Sequence, residues 1–183
     1  PAGCTSLTAN SPFVSVPVLS NTTSRTFVID IGGYTSDVLL LRKGKPDMEF
    51  CRSLNMGVIT MTNHIAGKVN SLYDISIDDE HICEILAGQN TVLDGEIQNA
   101  VRKEVDKYAA DMLNKLRELQ VDLRTNPAIF VGGGSILLRS FIKASSLVSS
   151  VEFEPDTRAN AHGYELLAQA QLEKLARRAG GVI

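Results

Sequence analysis

The segment Phe27–Leu41, FVIDIGGYTSDVLLL, places an aspartate and a glycine pair between two apolar runs. Each run has the length of a buried strand, and Gly-Gly is a frequent connection between paired strands. The segment therefore predicts two strands, over residues 26–31 and 36–42. A glycine turn and two carboxylates, Asp30 and Asp37, would lie where they meet.

The pattern beyond these strands predicts an α/β fold. A turn with Gly44 and Pro46 leads to a third strand near Met48–Asn55, which completes a three-strand meander. Helical spacing then alternates with short apolar runs. The further predicted elements are a helix over 58–72, a short helix from Ser76 to Gly88, a long helix over 95–120, a strand at 128–131, a helix over 135–145, a strand at 151–153 and a closing helix over Asn160–Arg178. This alternation requires parallel strands in the second half, joined by crossovers.

Composition excludes several classes of function. The chain has 183 residues, of which 44% are hydrophobic, and a formal charge of -3. Lys and Arg are scattered, so neither direct nucleic-acid binding nor an anionic membrane surface is expected. No apolar run approaches the roughly 20 residues that span a bilayer. We therefore expect no membrane partner.

The amino-terminal segment has the composition of a leader. PAGCTSLTAN lacks the basic and apolar regions of a signal peptide, which favours a cytoplasmic location. It also lacks an initiator Met, which suggests a fragment of a longer protein. Residues 1–25, rich in Ser, Thr, Asn and Pro, are expected to be a poorly ordered leader or a remnant of an upstream domain.

Two predicted strand ends carry glycines, DIGG after the first strand and VGGG after the fourth. Ligands of open α/β sheets collect at the carboxyl ends of strands. Gly32 and Gly33 let backbone N–H groups approach an anion, and Thr35 adds a hydroxyl donor. The run Gly132–Gly134 begins a helix and allows close approach of a flat ring or a phosphate.

Carboxylates beside these glycines indicate a metal that accompanies phosphates. Asp30 suits hydrated Mg²⁺, and Asp37 adds a second carboxylate nearby. The alternative is a tight turn in which Asp30 only caps or turns the chain, since Asp and Gly are ordinary turn residues. The residues by themselves leave both interpretations open. Other ligand motifs are excluded, because the chain contains no P-loop and no nucleophile elbow.

Three motifs resemble the actin, Hsp70 and sugar-kinase ATPase superfamily, in that family's order. FVIDIGGYTSDVLLL resembles its second phosphate motif, IFVGGGSILL its adenosine motif, and TRANAHGYELLA its second connecting helix. The resemblance is greatest to the plasmid-segregation actins of the ParM/StbA type, in which a similar hairpin precedes a turn like SLNMGV and a helical insertion like SIDDEHICEIL. It covers about residues 26–175.

The resemblance implies an actin-like ATPase fold of the RNase H-like class, with a mixed five-stranded sheet, flanking helices and a helical insertion. Residues 26–73 and 121–183 would form the core lobe, and residues 74–120 the insertion. Nothing in residues 1–25 resembles the first phosphate motif of the family. The chain is therefore expected to be the C-terminal lobe alone, with half of the nucleotide site.

Site residues follow from the resemblance by position. Asp30 matches the catalytic aspartate that holds a Mg²⁺-bound or attacking water. The implied nucleotide-binding residues are Gly32, Gly33, Thr35 and Asp37 at the phosphates, Lys103 and Glu104 at the ribose, and Gly132, Gly133 and Gly134 under the adenosine. From helical spacing alone, Lys103 lies nearly opposite the apolar stripe of its helix, which favours a solvated position over a ribose contact.

The implied function is a bacterial ATPase that polymerises to segregate plasmid or other DNA. Its cofactors would be ATP or GTP with Mg²⁺, and its partners further copies of itself and a DNA-binding adaptor protein. Alternatives are a cell-division or pilus-assembly actin relative, or the lobe of a sugar or carboxylate kinase. The isolated lobe is expected to be inactive.

Overall fold

The structure, a computed structural model, describes residues 25–156. Its elements are β1 (Arg25–Ile31), β2 (Ser36–Arg42), β3 (Lys45–Leu54), α1 (Val58–Tyr73), α2 (Asp79–Ala87), α3 (Gly95–Glu118), β4 (Ala128–Val131), α4 (Gly133–Ala144) and β5 (Val151–Phe153). All the elements predicted within this range occur. Arg25 belongs to β1 rather than to the predicted leader. The rest of that leader and the predicted helix Asn160–Arg178 lie outside the described residues.

Element ends differ where local capping decides them. The second helix begins at Asp79 rather than Ser76, because the Asp78 side chain accepts a hydrogen bond from the His81 N–H and caps the helix. Strand β3 begins at Lys45 rather than Met48, because it pairs with β2 as far as the turn.

The strands form one five-stranded sheet in the order β3-β2-β1-β4-β5. Strands β1, β2 and β3 pair antiparallel, and β4 and β5 join in parallel. Ile29 lies opposite Phe130 in the β1–β4 register. The mixed five-stranded sheet expected from the sequence is therefore confirmed.

The main core lies between one face of the sheet and the four described helices. Alternate residues of β1, Phe27, Ile29 and Ile31, point into it and are at most 1% exposed. Buried residues of α2 and α3 belong to the same continuous core. The division into a core lobe (26–73 and 121–183) and an insertion (74–120) stays a prediction. None of the helices within residues 25–156 could span a lipid bilayer.

The opposite face of the sheet holds a smaller apolar cluster. Its buried members are Val28, Leu39, Leu41, Ile129 and Val131. Because side chains alternate along a strand, Asp30 and Asp37 extend from this second face, at its edge nearest the glycine turn.

Candidate functional site

The candidate site lies at the adjacent carboxyl ends of β1 and β4. Asp30 is in register with Val131, so the turn after β1 and the glycines after β4 meet at one edge of the sheet. Gly132 has φ +84°, and a Cβ there would overlap the Asp30 carboxylate and lie 2.8 Å from the Ile31 carbonyl oxygen. The two glycine motifs predicted from the sequence are therefore in contact, and only glycine fits at the contact.

Two carboxylates lie side by side at this edge. Asp30 is directly opposite Asp37 in the β1–β2 register, and both are half-buried. Thr35 donates its hydroxyl to Asp37 Oδ2 at 3.0 Å. Asp37 Oδ1 is buried and has no hydrogen-bond partner among the described residues. Like charges opposite one another repel, and a buried acceptor without a partner costs about 1–3 kcal/mol, so the pair favours a cation or a water donor.

The turn between β1 and β2 presents backbone N–H groups to solvent. The Gly32 N–H donates to the Thr35 carbonyl at 2.9 Å and closes the turn. Within residues 25–156, no hydrogen bond uses the N–H groups of Gly33, Tyr34 or Thr35. Gly33 and Tyr34 are exposed and Thr35 is half-buried. Consecutive unpaired N–H groups in a turn can bind an anion.

The carbonyl groups of the same turn are held by helix α1. Val58 N–H donates to the Gly32 carbonyl at 3.0 Å, and Ile59 N–H donates to the Gly33 carbonyl at 2.8 Å. Gly57, the N-cap residue, offers no side-chain cap. The turn therefore accepts from the first N–H groups of α1, a task that a Ser, Thr, Asp or Asn side chain usually performs.

The three glycines after β4 differ in their surroundings. Gly134 is buried, and a Cβ there would lie 2.7 Å from Val58 Cγ2 and 2.8 Å from the Ile31 carbonyl oxygen. A Cβ on Gly133 would meet no atom within 4 Å. Packing within the protein thus requires Gly132 and Gly134, whereas Gly133 lies beside open space that a ligand can occupy.

Lys103 and Glu104 on α3 are not joined to this edge by any described hydrogen bond or ion pair. Lys103 is exposed. Glu104 Oε1 accepts a hydrogen bond from Lys68 Nζ of α1 at 2.6 Å, and Glu104 Oε2 is buried with no partner among the described residues. The structure therefore separates the predicted pair, with Glu104 inward and Lys103 in solvent.

Sequence reasoning missed two residues that support the turn. A Cβ on Gly57 would lie 2.6 Å from the Tyr34 carbonyl carbon, so only glycine allows α1 to approach the turn this closely. Tyr108 of α3 donates its hydroxyl to the Gly57 carbonyl at 3.2 Å, and burial raises the pKa of that phenol to about 12. The turn SLNMGV was the available signal for Gly57. No sequence signal pointed to Tyr108.

Comparison with known proteins identifies the family. A family model described as "Archaeal actin homologue MreB-like, C-terminal" matches residues 28–144. No curated protein matched the chain significantly.

Solved structures with the same fold come from archaeal and bacterial actins. The archaeal actin homologue Ta0583 is 23% identical, with a TM-score of 0.61 over 81% of this chain and 49% of that chain. A non-polymerisable quadruple mutant of pCBH ParM is 18% identical, with a TM-score of 0.64 over 84% of this chain and 49% of that chain. Bacillus thuringiensis ParM with ATP is 14% identical, with a TM-score of 0.58 over 84% and 48%.

The chain thus spans about half the length of these structures. The fold implied by its motifs, that of the C-terminal lobe of an actin-like ATPase, is confirmed. The chain belongs to the MreB-like C-terminal family of archaeal actin homologues.

Proposed function

We propose that this lobe binds the phosphates of ATP or GTP, with Mg²⁺, as one half of an actin-like ATPase. A single observation carries the proposal. The N–H groups of Gly33, Tyr34 and Thr35 have no hydrogen-bond partner within residues 25–156. They lie at the same sheet edge as the adjacent carboxylates Asp30 and Asp37. Such an edge offers donors to an anion and acceptors to a cation within a few residues.

The two carboxylates suit Mg²⁺, which also binds water and phosphate, better than a metal ion coordinated by protein side chains alone. Mg²⁺ usually keeps several waters and takes one or two carboxylates together with substrate phosphates. Among residues 25–156, no group of three or more His, Cys, Asp or Glu residues could hold a metal ion. Asp30 and Asp37 supply the two carboxylates, and the metal would supply charge neutralisation at the phosphates. Asp30 would orient the attacking water.

The adenosine would lie against the loop Gly132–Gly134, over the open side of Gly133. Structures with the same fold support this proposal, since Ta0583 was solved with ADP and Bacillus thuringiensis ParM with ATP, ADP and AMPPNP. Glu104 has a buried oxygen, Oε2, with no partner among the described residues. It is the better ribose candidate of the predicted pair, because an incoming hydroxyl would satisfy that oxygen.

The proposed cellular role rests on the family match and on the solved structures with the same fold. We propose that the whole protein polymerises in the cytoplasm and segregates plasmid or other DNA through an adaptor protein. A non-polymerisable ParM mutant is among the structures with this fold, which supports self-association. Membership of an actin-homologue family favours a filament over a sugar or carboxylate kinase. A cell-division or pilus-assembly role is the alternative, and light scattering with Mg-ATP, with and without DNA and adaptor, separates the two.

The 183-residue chain on its own is expected to bind ATP weakly, hydrolyse it negligibly and fail to polymerise. Phosphoryl transfer depends on positioning and on electrostatic stabilisation in a closed cleft, and one lobe leaves the nucleotide open to water. Calorimetry, phosphate release and light scattering check the three statements. Micromolar binding with measurable phosphate release would contradict this expectation.

Glu104→Ala is expected to weaken adenosine binding by roughly 10- to 150-fold, the equivalent of a hydrogen bond to a charged group. Lys103→Ala, on the adjacent exposed residue, is the matched control and should change affinity little. NMR titration of the chain with adenosine measures both variants. Equal adenosine affinities of the two variants would contradict a role of Glu104 in ribose binding.

A further inference from the structure

The turn between β1 and β2, residues 31–36, is joined to the start of α1 by more than one kind of hydrogen bond. Two are the backbone bonds from Val58 and Ile59 to the glycine carbonyls. The Thr60 hydroxyl adds a bond to the Tyr34 carbonyl at 3.4 Å. On the other side of the turn, the buried Ser36 hydroxyl donates to the Met56 carbonyl. The residues that precede and begin α1 therefore hold the turn on both sides.

This attachment decides which way the peptide groups of the turn face. The carbonyls of Gly32, Gly33 and Tyr34 all accept hydrogen bonds from α1, so they are directed toward the helix. The N–H groups of Gly33, Tyr34 and Thr35 have no hydrogen bond with another described residue. The carbonyl of each of these residues shares a peptide unit with the N–H of the next residue, and the two groups point in opposite directions. Because the carbonyls are directed toward α1, the N–H groups are directed away from it.

Helix α3 also contacts the start of α1, through Tyr108. Tyr108 is on the buried face of α3, and its hydroxyl reaches the Gly57 carbonyl directly before the first residue of α1. Gly57 is also the residue whose lack of a Cβ lets α1 approach the turn. One phenol thus connects α3 to the peptide that sets the position of the α1 N-terminus.

We propose that Gly57 and Tyr108 are positioning residues, which hold the α1 N-terminus so that the N–H groups of the turn remain directed at a bound phosphate. The proposal rests on the proposed nucleotide function. Neither residue would touch the nucleotide, and each would act through the backbone of the turn. Loss of the Tyr108 hydroxyl should therefore affect phosphate binding and leave binding of the nucleoside unchanged.

The test compares two Tyr→Phe variants of the same chain. Tyr108→Phe removes the hydroxyl at the start of α1 and keeps the ring in the core. Tyr73→Phe is the matched control, because it removes a phenol from the last residue of α1, at the opposite end of that helix from the turn. Amide hydrogen exchange at Val58 and Ile59 is measured by NMR. Affinities for ATP and for adenosine are measured by titration of the same samples.

Tyr108→Phe is expected to raise exchange at Val58 and Ile59 by roughly 2- to 10-fold and to weaken ATP binding by a similar factor, as befits one neutral hydrogen bond. Adenosine affinity should not change, and Tyr73→Phe should change none of these. Equal effects of the two variants on exchange, or equal losses for ATP and adenosine, would overturn the positioning role. A wild-type chain that binds no ATP even at millimolar concentration would instead contradict the proposed function. The exchange data would then still show whether Tyr108 holds the start of α1 against the turn.

Discussion

Asp30→Asn, introduced into a two-lobed protein that contains this chain, is expected to slow nucleotide hydrolysis by roughly 10²- to 10⁴-fold. Asparagine keeps the volume and one acceptor of Asp30 but cannot take a proton or hold a metal-bound water as a carboxylate does. Nucleotide affinity should change little, because the N–H groups of Gly33, Tyr34 and Thr35 are backbone groups and remain. Phosphate release at saturating Mg-ATP measures the rate, and calorimetry measures the affinity.

The control for this variant is Asp111→Asn, which removes the same charge from an exposed position on α3. Its hydrolysis rate should match that of the wild-type protein. An Asp30→Asn protein with unchanged turnover and ordinary Mg²⁺ dependence would assign Asp30 to the turn alone, which is the alternative that the sequence left open.

Gly132→Ala is expected to lower the free energy of unfolding by about 2–5 kcal/mol, since backbone strain and overpacking act together. The residue has φ +84°, and its new Cβ would overlap the Asp30 carboxylate and press on the Ile31 carbonyl. Relief of the overlap requires β4 to move away from β1, which disrupts the edge where the nucleotide site is proposed. Urea unfolding measures the stability, and NMR titration with ATP should show that binding is lost.

Gly133→Ala is the matched control, because it adds the same methyl group at the next residue, where no atom lies within 4 Å. Stability should stay the same or rise by up to about 1 kcal/mol, as alanine favours a helix more than glycine does. Adenosine binding should nevertheless weaken if the ligand occupies the open space beside Gly133. A Gly132→Ala protein as stable as Gly133→Ala would show that β1 and β4 tolerate separation at this edge.

Much of the fold could be predicted from local patterns. Two apolar runs predicted β1 and β2 as buried strands, and helical spacing placed Val101 and Val105 of α3 in the core. The parallel arrangement of β4 and β5 followed from the order of strands and helices. These predictions succeeded because each depends on a pattern within one segment or on the order in which segments follow one another.

The candidate site was predictable only in part. Glycines and carboxylates at two strand ends pointed to one edge of the sheet, and the structure brings them together there, since parallel strands have their carboxyl ends side by side. The sequence did not distinguish the roles of the three glycines, because those roles depend on which neighbour a Cβ would meet. For Gly134 the neighbours are Ile31 and Val58, far away along the chain.

By itself the sequence determined the elements, their order and the residue types at two strand ends. Only the tertiary structure decided how the turn after β1 is held. The α1 N-terminus lacks a side-chain cap, and its N–H groups bond to carbonyls of Gly32 and Gly33 instead. Every residue except proline carries the same backbone donor and acceptor, so no residue pattern indicates such a bond. The hydroxyl of Tyr108 reaches Gly57 only because α3 packs against α1.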